Sequence, residues 1–522
     1  MGLWNLYFLA KLYLFHTGQM QPVWLLNLVF ALLLVVPMES RVLRALRQIL
    51  ALGVGVALAW RESTLPPFER VISQFSNIRD FTPAYLVELL QRVISIQMVV
   101  GALLVLVAYL LVNRWIRTTT FVLIALVAMP FWYGLGIGLP GTTSQAVARA
   151  NSPRANIDAT NNYDAILTAF RQQEAERSAT VAPLTASPDA QFDVVVLHIC
   201  SLSWDDLDAA KSMNHPLLSR FDYLFKNFSS AASYSGAAAI RVLRAACGQE
   251  PHRNLYDAAP TECHLFADLA QAGFTPRILM NHDGRFDNFR AVVEQELGVP
   301  GIKAESIDGV PVAMRAFDDS PVHGDFDTFD HWYRQRLTQD KKPVALYYNT
   351  VTLHDGNRLT GKRLTSLESY PLRLKALLDD VDRILDTIAK SGRKAVVIFV
   401  PEHGAALRGD KNQISGLREI PTPNIIHVPV GVKLVGLPAA AATAETAHPV
   451  TIDAPMSYLG LSQLVFNLVA DSPFRAGAPA LSHYVDDLPQ TQMVGENEGT
   501  ITMKRTDGYV VHTPDGVWVE QR

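Results

Sequence analysis

Hydrophobic positions along this chain follow two regimes. Up to about residue 140 they come as long runs, at 3–15, 22–38, 42–60, 93–112 and 119–138, with polar residues mostly between them. The last four runs are long enough, or nearly so, to cross the roughly 30 Å hydrocarbon layer of a membrane as helices. The first is shorter and contains Lys11, so it either spans with the lysine snorkelling or lies in the interface. Beyond Gln191 the runs shrink to strand length and alternate with helical patterns. FDVVVLHI precedes a helix near 204–211, FTPRILM one near 286–297, PVALYYN one near 371–390, and KAVVIFV a loop. Strands alternating with helices predict a mostly parallel sheet between helical layers, an α/β/α sandwich.

Between these regimes, 141–190 is small and polar, with Gly141, Pro153, Pro183 and Pro188 among Ser, Thr, Asn and Ala. It reads as a linker with one short helix near 162–177. The expected organisation is therefore a multi-span helical membrane domain at 1–140, the linker, and a globular domain at 191–522. Arg41, Arg44 and Arg47 follow the second run, and Arg114 and Arg117 the fourth, which places both loops in the cytoplasm and everything after about residue 140 outside. No basic region with a small-residue cleavage site opens the chain, so the first segments read as an uncleaved anchor. A mean hydropathy of +0.12 matches this uneven distribution. The net charge of −4, without any basic block, offers nothing to a nucleic acid. Three cysteines, Cys200, Cys247 and Cys263, allow one bridge and one odd thiol.

In open α/β sheets ligands bind beyond the carboxyl ends of the strands. Cys200-Ser201 follows the first strand, Asn281-His282-Asp283-Gly284 the second, Thr350 to Gly356 with His354 the third, and Glu402-His403-Gly404 the fourth. Thiolate, carboxylate and imidazole make a zinc ligand set, and a catalytic zinc keeps a fourth position for a reacting group. Cys200, Glu402 and His403 are the candidate ligands; the plain alternative is a buried structural thiol beside an ordinary loop start. Ser235-Gly236 opens a helical pattern, AASYSGAAAIRVLRAACG. Its serine is either an N-cap or a nucleophile at the fourth metal position, beside helix N–H groups suited to a phosphate.

The globular half resembles the alkaline phosphatase and sulfatase superfamily. More closely, SYSGAAAIRVLRAACGQ, NHDGRFDNF, LHDGNR, PEHGAA and GLREIPTPNIIHVPVGVK resemble the bacterial cellulose phosphoethanolamine transferases, the BcsG family. The resemblance implies an inner-membrane protein with a periplasmic zinc domain. Such a domain takes phosphoethanolamine from phosphatidylethanolamine onto Ser235 and passes it to glucose 6-hydroxyls of nascent cellulose, beside cellulose synthase subunits. It also implies Cys200, Glu402 and His403 as zinc-site residues, Tyr234, His354 and Arg418 around the substrate, and a Cys247–Cys263 disulfide, which suits an oxidising compartment. Cys200 and Glu402 stand where many superfamily members carry the acidic and Asp-His residues of two-metal sites, so a single zinc is expected.

His354 is the first candidate for moving protons, with a loop-capping histidine as the alternative. Arg418 either clamps phosphate or bridges to Glu419 or Asp410. Tyr234 binds phosphate through its hydroxyl or packs beneath the serine. His282, Asp283 and Arg285 are further candidates for the phosphate or the ammonium group. Trp204, Tyr256, Trp332, Tyr347 and Tyr348 are sugar platforms or core. A membrane-anchored phosphodiesterase or sulfatase-like hydrolase, and a non-catalytic scaffold subunit of a polysaccharide synthase, are the competing functions. Residues 500–521 alternate as a hairpin would.

Overall fold

A computed structural model describes residues 1–17, 20, 22–63, 79–94, 96–134, 162–184, 190–339, 341–438 and 449–521. The chain divides into two compact units, Met1–Arg79 with Val93–Asn162, and Asp80–Arg92 with Tyr163–Arg522.

All five apolar runs are helical: α1 Trp4–His16, α2 Trp24–Val35, α3 Arg41–Glu62, α5 Ile96–Val112 and α6 Thr118–Gly134, with α4 at Pro83–Val93. Among the described residues only α3, with 22 residues, is by itself long and apolar enough to cross a membrane. Lys11 does not snorkel. It is 3% exposed, donates to Asn27 Oδ1 at 2.6 Å and pairs with Glu62. An internal partner costs less than carrying an unpaired ammonium to the edge of an apolar layer.

The second unit is built on a seven-stranded sheet. Its strands are β1 Asp193–Cys200, β2 Tyr223–Ser229, β3 Thr275–Met280, β4 Val344–Thr350, β5 Ala395–His403, β6 His427–Val435 and β7 Val450–Ile452, in the order β7-β2-β6-β5-β1-β4-β3. β6 alone runs antiparallel to its neighbours, β2 and β5. β2, β6 and β7 were not among the strands expected from the sequence. Alternate residues of β1 supply two cores. Val194 and Val196 pack with α9 Ser235–Leu243, α10 Leu265–Ala272, α11 Phe289–Glu296 and α14 Tyr458–Ala470; Val195, Leu197 and Ile199 pack with α8 Trp204–Ala209, α12 Asp325–Thr338 and α13 Ser366–Lys390. A central strand covered on both faces needs an apolar residue at nearly every position, which is why DVVVLHIC reads as a continuous run.

α13 starts at Ser366 rather than near Pro371, because Thr365 and Glu368 form a reciprocal capping box one turn earlier. The helix near 162–177 is α7, Tyr163–Ala175. Its Leu167 and Phe170 pack on Val494, Met503 and Val510 of an antiparallel sheet, β8 Val494–Asn497, β9 Thr500–Arg505, β10 Gly508–His512 and β11 Trp518–Gln521. The alternating 500–521 segment therefore supplies three strands of a four-stranded meander.

Cys247 and Cys263 form a disulfide at a sequence separation of 16, and Cys200 is free and buried. Closing a loop of that length contributes about 3 kcal/mol in the chain-entropy account. Replacing both cysteines by serine should lower the unfolding free energy by that amount; unchanged urea midpoints would show that the loop is held by its packing alone.

Candidate active site and metal centre

The end of β5 explains why an apolar strand stops in Pro-Glu-His-Gly. The strand runs through His403 instead of giving way to a loop at Glu402. Ile199 is opposite Pro401 but Cys200 is opposite His403, so Glu402 is the extra residue of a β-bulge. Proline is tolerated at a bulge because no ladder hydrogen bond is required there, and the bulge re-aims the following side chains. Gly404 is needed for close approach: a Cβ there would lie 2.7 Å from Ser203 Oγ and 3.0 Å from Asp206 Oδ2. Asp206 accepts from Ala405 N at 2.6 Å and Leu407 N at 3.2 Å, clamping the chain beyond the bulge to α8.

One donor atom each from Cys200, Glu402 and His403 lies within 4.8 Å of the others, and all three residues are buried. His403 Nδ1 donates to Gly404 O at 2.9 Å, which leaves Nε2 as the bare nitrogen, 3.8 Å from Glu402 Oε2. Neither of those two atoms has a hydrogen-bond partner. Buried polar atoms seldom stay orphaned, and a thiol, an imidazole and a carboxyl converging on one point fit a small divalent cation such as zinc.

Ser235 is the first helical residue of α9, and Tyr234 is the N-cap without a side-chain capping bond. The serine is thus not a cap. Its Oγ sits 3.3 Å from Cys200 Sγ, beside the donor cluster. A Cβ added at Gly236 would meet nothing nearer than the Tyr256 hydroxyl at 3.9 Å, so this side of the helix start is open.

Ser235, Tyr234, His282, Asp283, His354, Glu402 and Arg418 all line one cavity of about 380 Å³, together with Phe286, Phe317 and Tyr256. Arg418 is 7% exposed, its Nε has no partner, and it has no carboxylate within ion-pair distance among the described residues. Nη1 lies 3.4 Å from His403 Nδ1, and the guanidinium stands 5.4 Å from the centre of the Tyr234 ring. The alternative, a bridge to Glu419 or Asp410, does not form. Glu419 instead accepts from the Tyr234 hydroxyl at 2.7 Å, so that hydroxyl is already engaged. Asn497 Nδ2 donates to Glu419 O at 3.0 Å, which is how the C-terminal meander braces this loop.

His354 Nδ1 bonds the Asp355 carbonyl at 2.6 Å. Burial, reinforced by the Arg418 charge, pushes the imidazole down to about 4, so it is neutral at pH 7. His282 belongs to the site in a different way from that expected. Its Nδ1 accepts from Gly284 N at 3.2 Å and its Nε2 donates to Asn349 Oδ1 at 2.8 Å. Asn349 in turn donates to Glu402 Oε1 at 2.6 Å. Nε2 is spent holding the amide that orients a carboxylate and Nδ1 is spent on the backbone of its own loop, leaving neither for a ligand. Arg285 is 87% exposed by its side chain and outside the cavity lining. Trp332, Tyr347 and Tyr348 are core residues, 6%, 0% and 1% exposed, and cannot be sugar platforms. Tyr256, 65% exposed, remains available at the cavity.

The cellulose biosynthesis protein BcsG N-terminal domain matches residues 4–131 and the BcsG C-terminal domain matches 147–518. This chain belongs to the BcsG family. The cellulose biosynthesis protein BcsG of Escherichia coli (strain K12) is 39% identical over 542 residues, 99% of this chain and 95% of that one. The protein of the same description from Salmonella typhimurium is 38% identical over 540 residues, again 99% and 95%. Among solved structures, an alkaline phosphatase superfamily protein from Vibrio parahaemolyticus is similar at TM-score 0.47 and 12% identity, over 69% of this chain and 91% of that one. The lipooligosaccharide phosphoethanolamine transferase EptA from Neisseria meningitidis is similar at TM-score 0.41 and 13% identity, over 76% and 78%.

In this BcsG-family chain the residue that sequence reasoning missed is Asn349. It closes an apolar run, and it reaches Glu402 only because β4 and β5 pair with opposite edges of β1. Outer residues that hold a ligand typically account for 10–100-fold in metal affinity. Asn349→Ala should weaken zinc binding by about that factor in a chelator competition. Unchanged affinity would show that the bulge alone orients Glu402.

Zinc binding should also depend steeply on pH. Burial, with the Glu402 charge added, raises the Cys200 thiol, and burial brings the Glu402 carboxyl up to about 7. Above pH 7 binding displaces the thiol proton alone, about tenfold in affinity per pH unit; below pH 7 a carboxyl proton competes as well. Affinity should therefore fall by more than ~100-fold from pH 8 to pH 6. A pH-independent affinity would exclude Cys200 as a ligand.

Proposed function

We propose that this protein transfers phosphoethanolamine from phosphatidylethanolamine, through a covalent Ser235 intermediate, to the 6-hydroxyls of glucose in nascent cellulose. The observation that carries the reading is Arg418, a buried guanidinium with no carboxylate partner among the described residues, lining the cavity that also holds Ser235. An uncompensated buried cation is costly unless an anion completes it, and a phosphate accepts its planar fork of donors. The open start of α9 adds N–H groups and the positive end of the helix dipole.

Cys200, Glu402, His403 and Ser235 would hold one zinc, which when bound lowers the pKa of a ligand oxygen and so makes a serine hydroxyl competent as a nucleophile. The chain's own groups do the rest. Ser235 Oγ bonds to phosphorus as the bond to the diacylglycerol oxygen breaks. Neutral His354 takes the serine proton and delivers it to that oxygen. In the second step a glucose 6-oxygen bonds to phosphorus, the Ser235 ester bond breaks, and His354 returns the sugar proton to the serine. Arg418 spans the phosphate oxygens through both steps, and Tyr234 lies against the guanidinium as a platform.

The setting proposed is the bacterial inner membrane, crossed by α1, α2, α3, α5 and α6, with the catalytic unit in the periplasm beside cellulose synthase subunits. The Cys247–Cys263 disulfide supports an oxidising compartment.

The test uses the full chain loaded with zinc in micelles containing phosphatidylethanolamine, followed by intact mass and peptide mapping. The expected result is one added phosphoethanolamine on Ser235, discharged when cello-oligosaccharide is supplied. Donor turnover without the adduct or any modified sugar would mean hydrolysis; donor and acceptor both untouched by zinc-loaded protein would favour a scaffold.

A further inference from the structure

The segment Asp80–Arg92 lies in the sequence between α3 and α5, yet it packs as part of the same compact unit as the sheet and the cavity. Its fit there is specific. Thr82 N donates to Phe317 O at 2.8 Å, and the rings of Phe81 and Tyr85 meet Phe317 at 5.2 and 6.1 Å. Glu88 accepts from Ser366 N at 3.1 Å, at the first residue of α13. Arg92 makes a two-pronged contact with Asp355, Nη1 to Oδ2 at 2.7 Å and Nη2 to Oδ1 at 2.8 Å, and the Tyr85 hydroxyl donates to the same carboxylate at 2.9 Å. The Arg92 and Asp355 side chains are 8% and 10% exposed. Gly356 is required for the fit, since a Cβ there would lie 2.5 Å from Phe317 Cβ, and Gly416, at φ +83°, leaves the space that Arg92 Nη1 occupies, 2.5 Å from where a Cβ would stand.

The contacts made through Asp355 and Phe317 converge on one imidazole. Asp355, fixed by Arg92 and Tyr85, presents the carbonyl that holds His354 Nδ1 at 2.6 Å. Phe317, fixed by Phe81 and Tyr85, lies against the His354 ring at 5.0 Å and 33°. Gly416 stands two residues before Arg418, so the same arginine side chain also borders the loop that carries the buried cation. A bidentate guanidinium–carboxylate pair fixes direction as well as distance, which is what a proton-moving group needs.

We propose that Asp80–Arg92 is a positioning element of the active site, and that Arg92, acting through Asp355, sets the His354 imidazole for group transfer. The segment belongs by sequence to the stretch between two membrane-type helices, so the catalytic unit is completed by a part of the chain that lies upstream of the linker. The catalytic half of this inference rests on the transferase reading above; the structural half does not.

The experiment takes the full, zinc-loaded chain in phosphatidylethanolamine micelles and compares wild type, Arg92→Ala and Arg92→Lys. Phosphoethanolamine transfer, zinc content, thermal midpoint and hydrogen exchange of peptides covering 351–359 are measured. Arg92→Ala should lower kcat by about 10–100-fold at nearly constant KM for the lipid, with zinc content retained and exchange in 351–359 accelerated. Arg92→Lys should fall between the two, because it keeps the charge and loses the fork. Added guanidinium should restore part of the Arg92→Ala rate. Unchanged kcat, or unchanged exchange in 351–359, would overturn the proposal, as would a lower thermal midpoint with full kcat per folded molecule. If the wild type itself transfers nothing, the transferase reading fails. The exchange arm then decides whether Arg92 sets the His354 loop: acceleration supports the positioning role and no change overturns it.

Discussion

Ser235→Ala should abolish transfer, lowering the rate by at least about 10⁴-fold, the scale seen when a covalent nucleophile is removed. The position makes the experiment unusually clean. Ser235 is the first helical residue and makes no capping bond, so its hydroxyl contributes little to the stability of α9. Unfolding free energy of the metal-free protein should therefore change by no more than about 1 kcal/mol, the scale of one lost hydrogen bond. Zinc should remain bound, more weakly, through Cys200, Glu402 and His403. Intact mass would show no adduct at any donor concentration. A variant that loses activity together with its fold would point to a capping role instead, and one that keeps more than a few per cent of wild-type turnover would replace the covalent route by direct transfer.

Arg418→Ala should lower kcat/KM by about 10²–10³-fold, since a preorganised donor aimed at developing phosphoryl charge is worth that much. The informative part is the sign of its effect on stability. Arg418 is a buried cation without a carboxylate partner among the described residues, so in the absence of an anion it is a cost to the fold. Its removal should leave the unliganded protein as stable as wild type or more so. Inorganic phosphate should raise the thermal midpoint of the wild type and not that of Arg418→Ala. Arg418→Lys should recover charge but not the fork, and so only part of the rate. A destabilised Arg418→Ala that still responds to phosphate would show that the guanidinium holds the loop rather than the anion.

Cys200, Glu402 and His403 were legible because a strand that ends in a ligating residue can direct it only to the sheet's rim, where other strand ends also arrive. Their convergence was an inference from topology; the β1–β5 pairing sets Cys200 opposite His403, and one donor atom from each of the three residues lies within 4.8 Å of the others. Other elements were harder to read. β2 and β6 went unrecognised because YLFKNFS carries exposed and partly exposed residues and HVPVGVKLV is broken by Pro and Gly. His282 looked like a substrate-binding residue because an imidazole near a strand end looks the same whether its partner is a substrate or Asn349. Arg92 gave no signal. An arginine between two apolar runs reads as a membrane-flanking charge, and its partner Asp355 is 263 residues away.

The sequence by itself determined the elements: apolar runs long enough for helices at the start, strand-length runs alternating with helices afterwards, and family motifs specific enough to identify the chain. Those are local properties, set by hydrophobic period and by residue chemistry within a few positions. Tertiary structure alone decided which donors are satisfied. The bulge that admits Glu402, the Asn349 bond that holds it, the orphaned Nε of Arg418 and the carboxylate that locks Arg92 all depend on which groups meet across the fold, 53 residues apart for Asn349 and Glu402 and 263 for Arg92 and Asp355. A side chain's partner, not its type, decides whether its hydrogen-bonding capacity is spent on the fold or left over for a ligand.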